Sequence, residues 1–176
     1  MATGFAPLGS TQMNETDITI AVEDARQPGV AALMAEADGY LQTLYPAQKR
    51  HPVDANALAP PGVVFLAARR DGSLLGSVAL RPIAPGHAEI KRLFVRETAR
   101  GCGLGRKLVT ALEDEARTRG IDRVSLEVGI RQPQAMELYR SSGYQDCGPF
   151  GQYRADPLSL FMTKRLRLDL AIEQSV

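Results

Sequence analysis

Arg100-Gly101-Cys102-Gly103-Leu104-Gly105 lies between an apolar, strand-like run, Ile90 to Val95, and a strong helical pattern, Leu104 to Gly120. A glycine-rich turn that opens a helix leaves several backbone N–H groups without partners inside the helix. With the positive end of the helix dipole, those groups make a site for phosphate. Glycine lets the backbone approach closely and tolerates the positive φ that such turns often need. The spacing removes two other phosphate-binding signatures. A Walker A loop needs Gly-Lys-Ser/Thr, but Arg106 stands at that offset from Gly101, and Leu108 follows Lys107. The dinucleotide fingerprint needs a third glycine where Arg106 stands. What remains is Arg-x-x-Gly-x-Gly after a strand. An ordinary tight strand-to-helix turn shares that pattern, so the surrounding chain has to decide.

Working outward, the 176 residues suit one domain with a sizeable core. Lys plus Arg is 21 and Asp plus Glu is 20, giving a net charge of +1. That balance argues against a nucleic-acid binder that works by neutralising many phosphates. No apolar stretch approaches the length of a membrane span. Residues 1–16 are small and polar, without a basic start or an apolar core, and read as a disordered leader rather than a signal peptide. Cys102 and Cys147 make neither a disulfide framework nor a metal cluster, so no metal is expected. Cytoplasmic residence is the default expectation.

The periodicities give an order of elements. Ile18, Ile20 and Val22 alternate in a first strand over 17–22. Val30, Leu33, Met34, Ala37, Leu41 and Leu44 recur at helical spacing over 28–44. Residues 45–62, rich in proline, read as loop. Strands over 63–69 and 73–81 flank Asp71-Gly72, a hairpin signal. A fourth strand spans 89–95, the helix from Leu104 ends near Gly120, and a fifth strand spans 123–128. A short helix over 133–142 stops at Gly143, and two strands drawn from 144–150 and 158–163 close the domain, leaving 167–176 as a tail. The expected fold is α/β: a mixed, mostly antiparallel central sheet of about seven strands with helices on both faces.

With that order in hand, two separate motifs resemble those of the GNAT-type N-acetyltransferases. One is Leu93-Phe94-Val95 followed by Arg100-Gly101-Cys102-Gly103-Leu104-Gly105. The other is Gln132-Pro133-Gln134-Ala135-x-x-Leu138-Tyr139-x-x-x-Gly143-Tyr144, where the family more often starts with Asn. The likeness covers about residues 63–145. Cys102 departs from the basic or polar residue that relatives often carry there; Arg100, Arg106 and Lys107 remain beside it. The stretch from Pro149 to Ser159 looks like a feature of a subgroup of small acetyltransferases.

The resemblance implies direct transfer of an acetyl group from acetyl-CoA to an amine in a ternary complex. It assigns Phe94, Val95, Arg100, Gly101, Cys102, Gly103, Leu104, Gly105, Arg106 and Gln132 to the donor, and expects the fourth and fifth strands to splay near Phe94 and Val95. Free backbone groups there would bind the pantetheine arm and hold the thioester carbonyl. An alkyl ammonium, with a pKa of about 10.4, must lose a proton before it attacks. Glu89 is the candidate base, Glu127 its rival, and His87 a lesser relay. The leaving thiolate needs a proton, and the family places a tyrosine beside the CoA sulfur; here that is Tyr139. Residues 41–54, with Tyr45 and His51, and 148–153 are expected to wall the acceptor. A small-molecule amine is the expected acceptor, with a homodimer compatible. A protein or peptide acetyltransferase and a non-catalytic CoA-binding module are the alternatives.

Overall fold

The computed structural model describes residues 18–45, 58 and 60–168. The leader over 1–16, most of the loop over 45–62 with His51, and most of the tail over 167–176 lie outside these residues. Among the described residues, no helix is long and apolar enough to cross a membrane.

Seven strands form one sheet in the order β1-β2-β3-β4-β5-β7-β6. They are β1 Thr19–Val22, β2 Val64–Arg70, β3 Ser73–Ala84, β4 His87–Val95, β5 Arg123–Gly129, β6 Gln145–Cys147 and β7 Ser159–Arg165. Among the described residues there are three α-helices, α1 Val30–Leu44, α2 Leu104–Thr118 and α3 Pro133–Ser141. Every neighbouring pair of strands is antiparallel except β4–β5. This is the mixed, mostly antiparallel sheet that the periodicities imply. β3 runs on to Ala84 and β4 begins at His87, so their hairpin is longer than its sequence reading. A register shift between Pro82 and Ala84 lets the ladder continue past a proline that donates no hydrogen bond.

The turn between β2 and β3 has φ 49° at Asp71 and 76° at Gly72, as a type I′ hairpin requires. α2 ends as its sequence suggests: Gly120 N–H donates to Arg117 O at 3.0 Å and Ile121 N–H to Ala116 O at 3.0 Å, a Schellman closure.

The sheet has two apolar faces. α1 buries Val30, Leu33 and Met34 against Phe65, Ala67 and Ala79 on one. α2 buries Leu104, Leu108 and Leu112 against Val78, Leu80, Ile90 and Val124 on the other, where α3 adds Tyr139. Leu108 and Leu112 have no exposed surface; truncating such a side chain to alanine typically costs about 2–5 kcal/mol. Helices clamped to both faces leave the line where β4 parts from β5 as the place for a cleft.

Candidate active site

β4 and β5 are paired only from His87↔Arg123 to Glu89↔Ser125. From Ile90 onward, β4 keeps its ladder to β3 alone. The parting has a local cause. Ser77 faces Phe94 while Ala79 faces Lys91, so Arg92 and Leu93 together oppose Val78. Arg92 takes φ 55° at this bulge. A bulge bends its strand and sharpens its twist, which swings the end of β4 away from β5. The backbone of β4 on that side is left without a strand partner.

A cavity of about 860 Å³ fills the opening. Its walls come from Tyr40, Leu41 and Tyr45 of α1 and its end, Ile90 to Val95, Arg100 to Arg106 apart from Cys102, Glu127 to Gly129, Gln132 to Tyr139 apart from Met136, and Asp156 to Ser159 apart from Pro157. At one end stands the glycine turn. Gly103 precedes α2 with φ 75°, where any side chain would strain the backbone. The first N–H groups of α2 point out of the helix there without intrahelical partners. Arg106 donates to Ser141 O at 3.1 Å and Ser141 Oγ at 2.7 Å, tying α2 to α3. Arg100 donates from Nε to Val95 O at 3.0 Å, and its guanidinium stacks between the rings of Tyr40 and Phe94, 5.2 and 5.7 Å from their centroids. Cation and amides thus gather at one mouth of the cavity, a combination suited to a pyrophosphate.

Midway along, Tyr139 is 6% exposed and lines the cavity. Burial raises its phenol above the ordinary 10.0, so it stays protonated at any physiological pH. Its ring meets Tyr144 edge-on at 5.7 Å.

The profile of the Acetyltransferase (GNAT) family matches residues 21–144, which span all these walls but the last. The chain belongs to the GNAT acetyltransferase family. GNAT enzymes are acetyl-CoA-dependent acyltransferases, and this chain is one of that class. An IAA acetyltransferase of Azospirillum brasilense is 46% identical over 151 residues, covering 85% of this chain and 99% of its own length. An acyl-CoA N-acyltransferase structure from Klebsiella pneumoniae is 36% identical, with a TM-score of 0.75 over 85% of this chain and 98% of that one. PaiA N-acetyltransferase from Thermoplasma acidophilum, solved in complex with coenzyme A, shares the fold with a TM-score of 0.67 at 18% identity over 84% of this chain and 99% of that one.

Against the GNAT frame, the residues singled out in the sequence divide. Phe94, Val95, Arg100, Gly101, Gly103, Leu104, Gly105, Arg106, Gln132 and Tyr139 all line the cavity. Cys102 does not; its thiol donates to Ala99 O at 3.2 Å beside a shallow outer groove with Lys107 and Thr110. Glu89 is absent from the walls and has no exposed surface. Arg81 reaches its Oε2 at 2.6 Å, Lys91 its Oε1 at 2.9 Å, and the Tyr153 hydroxyl donates to Oε1 at 2.6 Å. Glu127 does line the cavity. It accepts 2.5 Å from Ser159 Oγ and forms no ion pair with any described residue. His87 sits at the closed end of the β4–β5 pair, with Nε2 2.8 Å from Ser125 Oγ. Burial, then nearby Arg123, lowers its pKa.

Three features of this GNAT site escape a reading of the sequence. Tyr45 accepts from Arg131 N–H at 2.8 Å and Arg131 Nη1 donates to Leu44 O at 2.6 Å, strapping the end of α1 to the loop after β5. Tyr153 also accepts from Lys91 Nζ, so the loop before β7 is hooked onto β4. Ser159 holds Glu127 across the β5–β7 ladder. The sequence reading puts Tyr45 and residues 148–153 at the acceptor walls; Tyr45 lines the cavity and 148–153 do not, and the contacts themselves carry no local signal.

Proposed function

We propose that the protein moves the acetyl group of acetyl-CoA to a primary amine of a small molecule, by direct attack in a ternary complex. The observation that carries this reading is one continuous cavity. It joins an amide-and-arginine cradle at Gly101–Arg106 to a protonated phenol, Tyr139, and a carboxylate, Glu127, that has no ion pair among the described residues. Its volume of about 860 Å³ falls within the usual range for small-molecule sites. The relative from A. brasilense is named an acetyltransferase, and the PaiA neighbour holds coenzyme A, which supports both the reaction and the donor.

In this reading the cradle holds the donor's pyrophosphate, and the open side of β4 lies along its pantetheine arm. The unpartnered backbone beside the bulge at Arg92 meets the thioester oxygen as charge develops on it. Glu127 removes a proton from the bound ammonium, directly or through water, and Tyr139 protonates the departing thiolate. The departing thiolate would be desolvated by the same apolar walls that raise the Tyr139 pKa, so thiol and phenol pKa values rise together and both groups become weaker acids. Glu89 fits the base role less well. Its oxygens are committed to Arg81, Lys91 and Tyr153, and it does not line the cavity.

The test is thiol release from acetyl-CoA in the presence of a broad panel of amines and peptides. Release stimulated by small amines supports the reading. Tight acetyl-CoA binding without stimulated release by any acceptor would leave a CoA-binding module instead.

A further inference from the structure

The last paired residues of β4 and β5 are Glu89 and Ser125. Two residues further along, on the same face of each strand, come Lys91 and Glu127. A closed sheet would set them side by side as a cross-strand ion pair. The splay holds them apart: both line the cavity, and no ion pair joins them.

Their surroundings leave each with unbalanced charge. Lys91 shares the carboxylate of Glu89 with Arg81, so two cations attend one anion. The Lys91 side chain is 14% exposed. Two of its donors go to Glu89 and Tyr153, leaving one N–H uncommitted among the described residues. Among the described residues, Glu127 has only the Ser159 hydroxyl. Of the other charges on the cavity walls, Arg92 pairs with Asp38 at 2.5 Å, Asp156 Oδ1 accepts from Leu158 N–H at 2.8 Å, and Glu137 stands on α3. The acceptor half of the cleft is therefore a dipole, positive at Lys91 and negative at Glu127, beside the apolar surfaces of Leu41, Tyr45 and Leu158.

We propose that the acceptor is zwitterionic: an amino acid whose carboxylate takes the free donor of Lys91 while its ammonium faces Glu127. This rests on the amine-acetylation reading above. The ammonium gives one proton to Glu127, the freed nitrogen bonds to the thioester carbonyl carbon, and the carbon–sulfur bond breaks. The thiolate takes a proton from Tyr139, the nitrogen's second proton returns to Tyr139 through solvent, Glu127 releases its proton to solvent, and the products are an N-acetyl amino acid, CoA thiol and one proton. A partly buried cation meeting a carboxylate forms a strong charge-assisted hydrogen bond, so neutralising either partner should weaken recognition.

Thiol release is measured with the standard amino acids, β-alanine and 4-aminobutyrate, each against its primary amide, for the wild type, Lys91→Met and Lys91→Arg. The expected result is a wild-type preference in kcat/KM for the acid. It should fall roughly 10- to 100-fold in Lys91→Met and return largely in Lys91→Arg. Comparing the ratio across variants cancels the different intrinsic reactivities of acid and amide. Acetyl-CoA affinity is followed in parallel, because a general loss of structure would lower it too. A second measurement needs only the wild type: carboxylic acids lacking the amine should compete with the acceptor, and their methyl esters should not. An acid-to-amide ratio that is the same in wild type and Lys91→Met, or esters that inhibit as well as acids, would overturn the proposal and leave amine acetylation standing. No release with any acid or amide would instead overturn the amine-acetylation reading itself.

Discussion

The phenol of Tyr45 lies directly over the backbone of Gly129, so closely that a Cβ built on Gly129 would overlap the hydroxyl oxygen. Gly129 is the last residue of β5, at the open end of the cleft. Tyr45, 9% exposed, therefore closes that end by resting on bare backbone. Gly129→Ala should displace the ring and break its bond from Arg131 N–H, costing about 1–3 kcal/mol. The loss should be strongly non-additive with Tyr45→Ala, because the smaller residue removes the clash. Urea midpoints of the two single variants and the double variant check this; additive losses would mean that the contact does not govern the strap.

Glu127→Gln should lower kcat/KM for the amine by about 10²- to 10⁴-fold, the usual contribution of general acid–base catalysis, with little change in acetyl-CoA affinity. Glu89→Gln should act mainly on stability. It leaves Lys91 and Arg81 facing a neutral group, and breaking a buried ion pair typically costs 3–5 kcal/mol. Arg81 is 45% exposed and stays partly solvated, so about 2–4 kcal/mol is expected. Paired activity and denaturation measurements separate the two; a catalytic collapse at full stability in Glu89→Gln would return the base role to it.

Tyr139→Phe should cut turnover about 10²-fold or more while acetyl-CoA binding changes only a few-fold, as measured by titration calorimetry. Turnover at wild-type level would remove the phenol from the mechanism.

Tyr144 is 2% exposed, and its hydroxyl has no hydrogen-bond partner among the described residues. Glu113 nearby is taken by Lys164 at 2.7 and 2.8 Å. An unsatisfied buried hydroxyl costs about 1–3 kcal/mol. Tyr144→Phe should therefore raise Tm by a few degrees; a lower Tm would mean that the hydroxyl bonds Glu113 in solution.

Burial is the first cause raising the phenols of Tyr139, Tyr144 and Tyr153 above the ordinary 10.0, with the Glu89 hydrogen bond adding to Tyr153. Above pH 10 the unfolded chain releases these protons and the folded chain keeps them. The unfolded state then binds fewer protons, and stability falls as pH rises. Below pH 10 both states hold the protons and the three groups add no slope. Each buried phenol contributes at most about 1.4 kcal/mol per pH unit, Tyr153 less because it is partly in solvent. Urea unfolding between pH 9 and 11.5 checks the sign, and Tyr139→Phe should flatten the fall.

Much of the donor end was legible in the sequence. Arg100 to Gly105 reads as a helix-opening cradle because its requirements are local: positive φ at Gly103, free N–H groups, a helix that starts on cue. Tyr139 was legible through its motif, since a short helix fixes where a residue seven places after Gln132 can sit. The proton balance on the acceptor side was not. Glu89 and Glu127 look alike as strand carboxylates, and their environments are made by partners distant in the chain. Tyr153 lies 64 residues beyond Glu89 and Ser159 lies 32 beyond Glu127. No spacing rule carries that information.

By itself the sequence determined the strands and helices, their order, the glycine turn at the head of α2, and membership of a donor-binding fold. Those follow from short-range periodicity and backbone conformation, which neighbouring residues set. The tertiary structure alone decided which carboxylate meets the cavity. It also decided that Tyr45 rests on Gly129 and that Lys91 and Glu127 are parted by the splay at Arg92. Burial and charge pairing arise where segments remote in the chain meet, and a one-residue bulge is enough to turn a cross-strand pair into the two poles of a cleft.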